Sequence, residues 1–269
     1  NAYHAMKEGY TFEEYFTYDF ASHTDKEYRE SFIATHIHFP KISAYFHHNP
    51  KNYSFFNDKG LFNQNFKDIK GIDSLDLRVD SLETFEKFID KHESWFAKTP
   101  SDCGGHGVKR ENRSLFSNCT VESIYNSYKN DNYVVVEEEI HQHEEVSKLS
   151  LNSVNTLRVI TARDENDNIS IPFVVSRISI GDSYKDNTSE GGAWCLLSKD
   201  GTVEHDYFSN VPILKTFSEN PYTGFKFKNF KFPFFEEAKN LCQAAALRCD
   251  NHLIGWDVAI TKNGPCIIE

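Results

Sequence analysis

The spacing of apolar positions changes along this chain from helical to extended and back. Phe12, Tyr15 and Phe16, and then Tyr28 and Phe32, recur at helical intervals, so residues 1–50 are read as an α-helical amino-terminal piece punctuated by Pro40 and Pro50. Asn57-Asp58-Lys59-Gly60 has the composition of a cap or turn and opens a short helix through Phe66. Leu82, Phe85, Phe88 and Ile89 then mark an amphipathic helix over residues 81–92. After it the period becomes extended: a strand over 94–98, a glycine-rich loop over 99–107, a helix over 120–128, and a strand over 133–140 whose β-branched run predicts burial. Residues 156–163 and 169–180 flank the turn cluster 164–168 as a second hairpin, and a polar loop follows over 181–192. Strands are expected at 194–197 and 203–207, then a helix at 234–249 with apolar Ala238, Leu241, Cys242 and Ala245. The sum is an α+β chain with mostly antiparallel strands and no internal repeat.

The last fifteen positions, 255–269, hold two alternating apolar runs that meet at Asn263-Gly264, a strong hairpin signal. A three-residue loop over 262–264 with Thr261 opposite Pro265 sets Asp257 across from Glu269. Directly opposed side chains lie roughly 4.5 to 5.5 Å apart, and two carboxylates placed so repel unless a cation joins them. Magnesium suits that role, since it takes one or two carboxylates plus phosphate oxygens and keeps some of its water. A two-residue turn instead sets Val258 opposite Glu269 and leaves an ordinary surface hairpin. The strand is still running at Glu269, so the chain is expected to continue past it.

Composition narrows the classes. With 29 basic and 40 acidic residues the net charge is −11, and no compact basic tract offsets it, which argues against general nucleic-acid or anionic-membrane binding. Apolar runs fall far short of the roughly 20 residues that span a bilayer, and the chain opens without a signal-peptide pattern. Six scattered cysteines form no CxxC or disulfide framework, so a reducing cytoplasm is expected and the Asn-x-Ser/Thr triplets are read as chance.

Several side chains then stand out for chemistry. Lys98 ends a strand and is followed by Gly104, Gly105 and Gly107, a loop whose backbone N–H groups could cover phosphate oxygens while the lysine supplies a point charge. A tight turn is the plainer reading of the same glycines. Lys59 is a second cation, or simply a solvated residue at a helix start. The apolar strand at 134–136 runs into Glu137, Glu138 and Glu139, where strand backbone and a carboxylate could hold an adenosine, or where an exposed charge run could simply be solvated. Arg158 and Arg177 sit inside apolar strands, so each needs a carboxylate partner or an anionic ligand. The loop with Asp186, Asn187, Gly191 and Gly192 lies just beyond Arg177 and could close over that anion. Paired histidines at 36/38, 47/48 and 141/143 lack a cysteine or third histidine at zinc-finger spacing, and a structural zinc is not expected.

The order of these pieces is more specific than any one of them. Ser153-Val-Asn-Thr-Leu-Arg-Val-Ile-Thr161, Asp186-Asn-Thr-Ser-Glu-Gly-Gly192, Gly255-Trp-Asp-Val-Ala-Ile-Thr261 and Gly264-Pro-Cys-Ile-Ile-Glu269 resemble the ATP-grasp superfamily, and most of all its sugar-transfer-associated branch found with bacterial surface-polysaccharide genes. The resemblance covers roughly residues 55–269 and implies an α+β ATP-grasp fold in which two subdomains with mostly antiparallel sheets clasp ATP. On that pattern residues 1–70 form an amino-terminal helical region, 71–140 the small lid subdomain, and 141–269 the large subdomain. Position by position, the resemblance places Lys59 and Lys98 on the ATP phosphates and Gly104, Gly105 and Gly107 in the mobile lid. It puts Glu137 near the adenine amino group with the backbone of Glu138 and Ile140, and Glu144 on the ribose with Glu145 as competitor. Arg158 and Arg177 would act on the transferring phosphoryl group or the substrate carboxylate, Asn155, Asp186, Asn187, Gly191 and Gly192 would bind substrate, and Asp257 and Glu269 would hold Mg2+. An asparagine two residues past Glu269 would complete the family's metal set.

The reaction so implied is ATP- and magnesium-dependent ligation of a carboxylate to an amine, with a sugar or sugar acid of a capsule or related polymer as the associated substrate. A kinase on the same fold and an inactive nucleotide-binding scaffold are the alternatives. Phosphoryl transfer asks the protein chiefly for in-line positioning and charge neutralisation, which lysine, arginine and magnesium supply. No residue stands out as base for the amine.

Overall fold

A computed structural model of the protein describes residues 2–46, 55–101, 107–150, 153–180, 192–209 and 215–269. Helices Ala2–Lys7, Phe12–Thr17, Lys26–Glu30 and Thr35–Phe46 open the chain. The first three gather around a small aromatic core of Tyr10, Tyr15 and Phe20, and a Thr11/Glu14 capping box starts the second. Pro40 does not punctuate this region as expected. The fourth helix runs through it, giving up the hydrogen bond that an N–H at this position would have made to His36.

Two antiparallel sheets follow. The smaller has the order β1-β4-β2-β3, built from β1 (Ser74–Asp76), β2 (Ser94–Lys98), β3 (Val108–Asn112) and β4 (Val135–Glu138). One face, with Trp95, Ala97 and Val136, is covered by helices Leu82–Lys91 and Val121–Asn130 through Phe85, Phe88, Ile89, Ile124 and Tyr128. Alternation then forces Phe96, Lys98, Val135 and Glu137 onto the other face. Both helices begin where a hydroxyl caps the chain, Ser81 accepting from the N–H of Thr84 and Thr120 from that of Ser123.

The larger sheet comprises β5 (Thr156–Arg163), β6 (Ile169–Ser170), β7 (Val174–Ile178), β8 (Ala193–Leu196), β9 (Tyr207–Ser209), β10 (Lys215–Phe217), β11 (Leu253–Thr261) and β12 (Gly264–Ile267). Its order is β10-β9-β8-β7-β5-β11-β12, with β6 on the end of β5. The expected strand 169–180 is thus divided around Pro172, which brings no N–H to a ladder. Val203 makes only an isolated bridge to Leu197, and the strand that follows it starts at Tyr207. One sheet face carries Leu157, Val159, Ile178, Trp256, Val258 and Ile260 and is buried with helix Phe235–Ala246 and with Phe62 and Phe66. Helix Lys59–Phe66 therefore contributes its apolar face to the core of the large sheet.

The terminal hairpin closes through Lys262 and Asn263, with Thr261 opposite Gly264 and Val258 opposite Ile267. Neither expected register is the observed one. The positive φ of the turn, +123°, falls on Gly264 and not on Asn263, so glycine ends the turn where a side chain would be strained.

Candidate active site

Helix Lys59–Phe66 begins at Asp58, whose carboxylate accepts the Leu61 N–H at 3.0 Å. Arg78 grips that carboxylate with both terminal nitrogens at 2.6 Å and also binds Asp76, so the helix start is tied to the end of β1. The hydrogen bonds from Arg78 hold the Asp58 carboxyl below the usual range. Gly60 lies against Asp76 and Arg78 with no room for a Cβ. Lys59, fixed next to it, donates its backbone N–H to the Pro100 carbonyl at 2.8 Å. Lys59 and Lys98 then face one pocket, lined also by Phe56, Phe62, Asn63, Glu137, Ile268 and Glu269. Helix start, small sheet and chain end meet there.

Beneath the pocket lies a buried ion cluster. Glu137 accepts from Lys70 and Lys98 on separate carboxylate oxygens, and the Asn63 amide donates to it at 2.8 Å while accepting from Lys70. Burial opposes the charge of Glu137, but the two ammonium groups outweigh it and hold its carboxyl far below the ordinary range. Burial also pushes the Lys70 ammonium down. The Glu137 side chain, expected near an adenine amino group, lines the pocket with each of its oxygens bonded to a lysine. Lys70 was not among the sequence candidates. It sits in a polar stretch with Lys67 and Asp68, and only the fold shows that this one lysine turns inward.

The Glu138 N–H donates to the Asp73 carbonyl at 3.0 Å and its carboxylate lies 3.3 Å from His92. Ile140 packs with Ile72, Ala259 and Cys266 between the two sheets. Glu144 is exposed at the start of helix Glu144–Ser147. Gly107 takes a φ of +64° just after the glycine loop, and its carbonyl accepts from the Thr99 N–H. Gly104, Gly105, Asp186, Asn187 and Gly191 lie outside the described residues, and Gly192 is buried beside β8.

Asn155, expected to bind substrate, stands just before β5. It is buried, donates to Gln142 and the Val146 carbonyl, and accepts from Ser150. Its amide locks the segment before β5.

Arg158, Arg177 and Asp257 share the face of the large sheet opposite the Trp256 core. Arg158 pairs directly across from Asp257, and Arg177 reaches in from the opposite neighbouring strand. Arg158 meets both carboxylate oxygens, at 2.6 and 2.9 Å, and Arg177 meets one at 2.9 Å. Gly255 leaves space for the Arg158 chain, since a Cβ there would stand 3.1 Å from its Cδ. The pairing register sets Asp257 against Ile268, not Glu269. Yet the Asp257 N–H donates to the Glu269 carbonyl at 2.8 Å while the Asp257 carbonyl accepts from Ile268 at 2.7 Å. Two residues thus lie against one, as in a β-bulge, and Glu269 is brought back beside Asp257. The arrangement runs without a break from two lysines through Glu269 to Asp257 and two arginines. Asp257 and Glu269 offer hard oxygen donors that suit magnesium, and the cations around them suit a polyphosphate.

A family described as sugar-transfer associated ATP-grasp matches residues 13–269. No curated protein matches the chain. Among solved structures, the ATP-grasp ligase PsnB complexed with minimal precursor is similar at 11% identity and a TM-score of 0.47, covering 82% of this chain and 53% of that one. N5-carboxyaminoimidazole synthetase from Staphylococcus aureus shares 11% identity at a TM-score of 0.45, with 80% and 43% covered. D-alanyl-alanine synthetase A from Vibrio cholerae shares 13% at 0.42, with 78% and 54% covered. The chain spans about half the length of these structures.

Proposed function

The chain belongs to the sugar-transfer associated ATP-grasp family, and on that premise we propose that it is an ATP- and magnesium-dependent ligase joining a carboxylate to an amine. The observation that carries the reading is the convergence of Lys59 and Lys98 on one pocket whose far wall, Glu269, is hydrogen-bonded to the Asp257 that holds Arg158 and Arg177. Lys59 and Lys98 bind phosphate oxygens, and the strand following Gly107 belongs to the sheet that closes over them. Asp257 and Glu269 would hold magnesium, which neutralises phosphate charge when bound. Arg158 and Arg177 turn from Asp257 toward the transferring phosphoryl group or the acid, because a guanidinium fork fits either.

In the reaction, a carboxylate oxygen of the acid attacks the γ-phosphorus and the bond to the β-bridging oxygen breaks, giving an acyl phosphate and ADP. The amine nitrogen then attacks the acyl carbon, phosphate leaves with the electron pair of its C–O bond, and the nitrogen loses a proton to water. The lysines and arginines act by holding the anions in line and stabilising charge as it develops. The family's association with sugar transfer supports a sugar or sugar acid of a bacterial surface polysaccharide as one co-substrate, with the reaction in the cytoplasm where ATP is supplied. Among the described residues no helix is long and apolar enough to cross a membrane.

Incubation of the protein with Mg-ATP and candidate acids, with and without amines, tests this reading. Phosphate release that requires both co-substrates and yields an amide supports it. A stable phosphorylated acceptor formed without amine makes the protein a kinase instead.

A further inference from the structure

Lys70 is a fully buried lysine to which the ligase reading assigns no task. An ammonium group inside a protein is costly unless fully partnered, and Lys70 is bonded to Glu137 and Asn63. The cluster holds two ammonium groups and one carboxylate, so it carries a surplus of one positive charge. Exposure shows where that surplus faces: the Lys70 side chain is 0% exposed, Glu137 4% and Lys98 15%. Lys98, the most exposed of the three charged groups, lines the pocket with Lys59, Asn63 and Glu137, whereas Lys70 does not reach it. Were Glu137 paired with Lys98 alone, the two would cancel and the pocket would lose its attraction for an anion at this wall. Asn63 adds a geometric link, because it bonds Glu137 and Lys70 from the same helix that starts at Lys59.

We propose that Lys70 is a positioning residue for the phosphate site, neutralising Glu137 from the buried side so that the charge of Lys98 is left to an ATP phosphate. The inference rests on the reading of the pocket as an ATP site. It makes the distance between the two phosphate-facing lysines a property of the buried cluster.

The test is a charge swap read on nucleotide affinity, with kcat measured alongside. Lys70→Met should raise the Kd and KM for Mg-ATP about tenfold or more, as expected for losing a close charge in a partly desolvated site, while kcat falls far less. Lys70→Arg should stay close to wild type. The double variant Lys70→Met/Glu137→Gln removes one charge of each sign and restores the surplus on Lys98, so its affinity should return to within about threefold of wild type. A purely structural role predicts the reverse, with the double variant no better than the single one. That outcome, or unchanged affinity in Lys70→Met, overturns the inference. If Lys70→Met does not fold, the double variant decides: affinity near wild type supports the inference, and a tenfold loss overturns it. Failure of the wild-type protein to bind Mg-ATP at all would overturn the ATP reading and this inference together, whereas wild-type binding with an indifferent Lys70→Met overturns this inference alone.

Discussion

Asp257 accepts three hydrogen bonds from two arginines, and this decides what a substitution there does. Asp257→Asn keeps the size and removes the charge, leaving Arg158 and Arg177 without their carboxylate. The stability cost is modest, about 1–3 kcal/mol, since hydrogen bonds to charged groups reach that range and Arg158 is partly exposed. The cost to turnover is larger, about a hundredfold or more, the usual effect of removing a group that organises developing charge. Thermal unfolding and a magnesium titration of turnover separate the two effects, and full magnesium-dependent activity in Asp257→Asn would refute the assigned site. Gly60 shows the opposite case, a residue whose lack of a side chain matters. Any Cβ there collides with the Asp76 and Arg78 side chains, so Gly60→Ala should cost about 1–3 kcal/mol as overpacking and weaken nucleotide binding by displacing Lys59. Wild-type melting and affinity in that variant would mean the Arg78 tie bends freely.

The tie itself acts on an element, since Arg78 joins the cap of helix Lys59–Phe66 to β1. Asp58 has a lowered carboxyl in the folded state, so its contribution is present above the ordinary carboxylate value and is lost as pH falls through the depressed one. Arg78→Leu should therefore lower stability near neutrality, where that contribution is fully present, and change little from this source once the pH is below the depressed value, which urea unfolding followed by circular dichroism at neutral and at acid pH reads directly. Elements of this kind were legible in the sequence: the cap or turn at 57–60, the helices over 81–92 and 120–128 and the strand bounds at 94–98 and 156–163 all follow from local patterns. The terminal hairpin was legible as a hairpin but not in its register. Register depends on which turn residue takes the positive φ, and Asn263 and Gly264 are both eligible by composition; the chain uses Gly264. Gly264→Ala should then cost about 1–3 kcal/mol of backbone strain, with no steric term because nothing lies within 4 Å of the added carbon. A variant as stable as wild type would show that the turn can pass the strain to its neighbours.

At the scale of the whole molecule, what the sequence left hidden is long-range pairing. Glu137 and Lys70 stand 67 residues apart and Arg158 and Asp257 stand 99 apart, and no local pattern shows that two charges will meet across such distances. Arg158 could be read as needing an anion because it interrupts an apolar strand, yet Lys70 interrupts nothing and so gave no sign. The seam between the sheets is where these pairings accumulate. The Ile267 N–H donates to the Lys70 carbonyl at 2.9 Å, and Gly71 and Ile72 run against Cys266. Cys266 thus reports on the seam. Burial pushes its thiol up to about 12, and those of Cys249 to about 12 and Cys195 to about 11, while Cys119 is exposed. Only thiolate alkylates readily, so at pH 8 iodoacetamide should modify Cys119 in the native protein and reach Cys266 only through opening of the seam. If Mg-ATP binds between Lys59, Lys98 and Glu269, it stabilises the closed seam by mass action and should slow labelling of Cys266 further, leaving Cys119 unchanged. Mass spectrometry of the labelled peptides follows both sites at once: slowing at Cys266 alone places nucleotide at the seam, and equal rates with and without Mg-ATP would place it elsewhere.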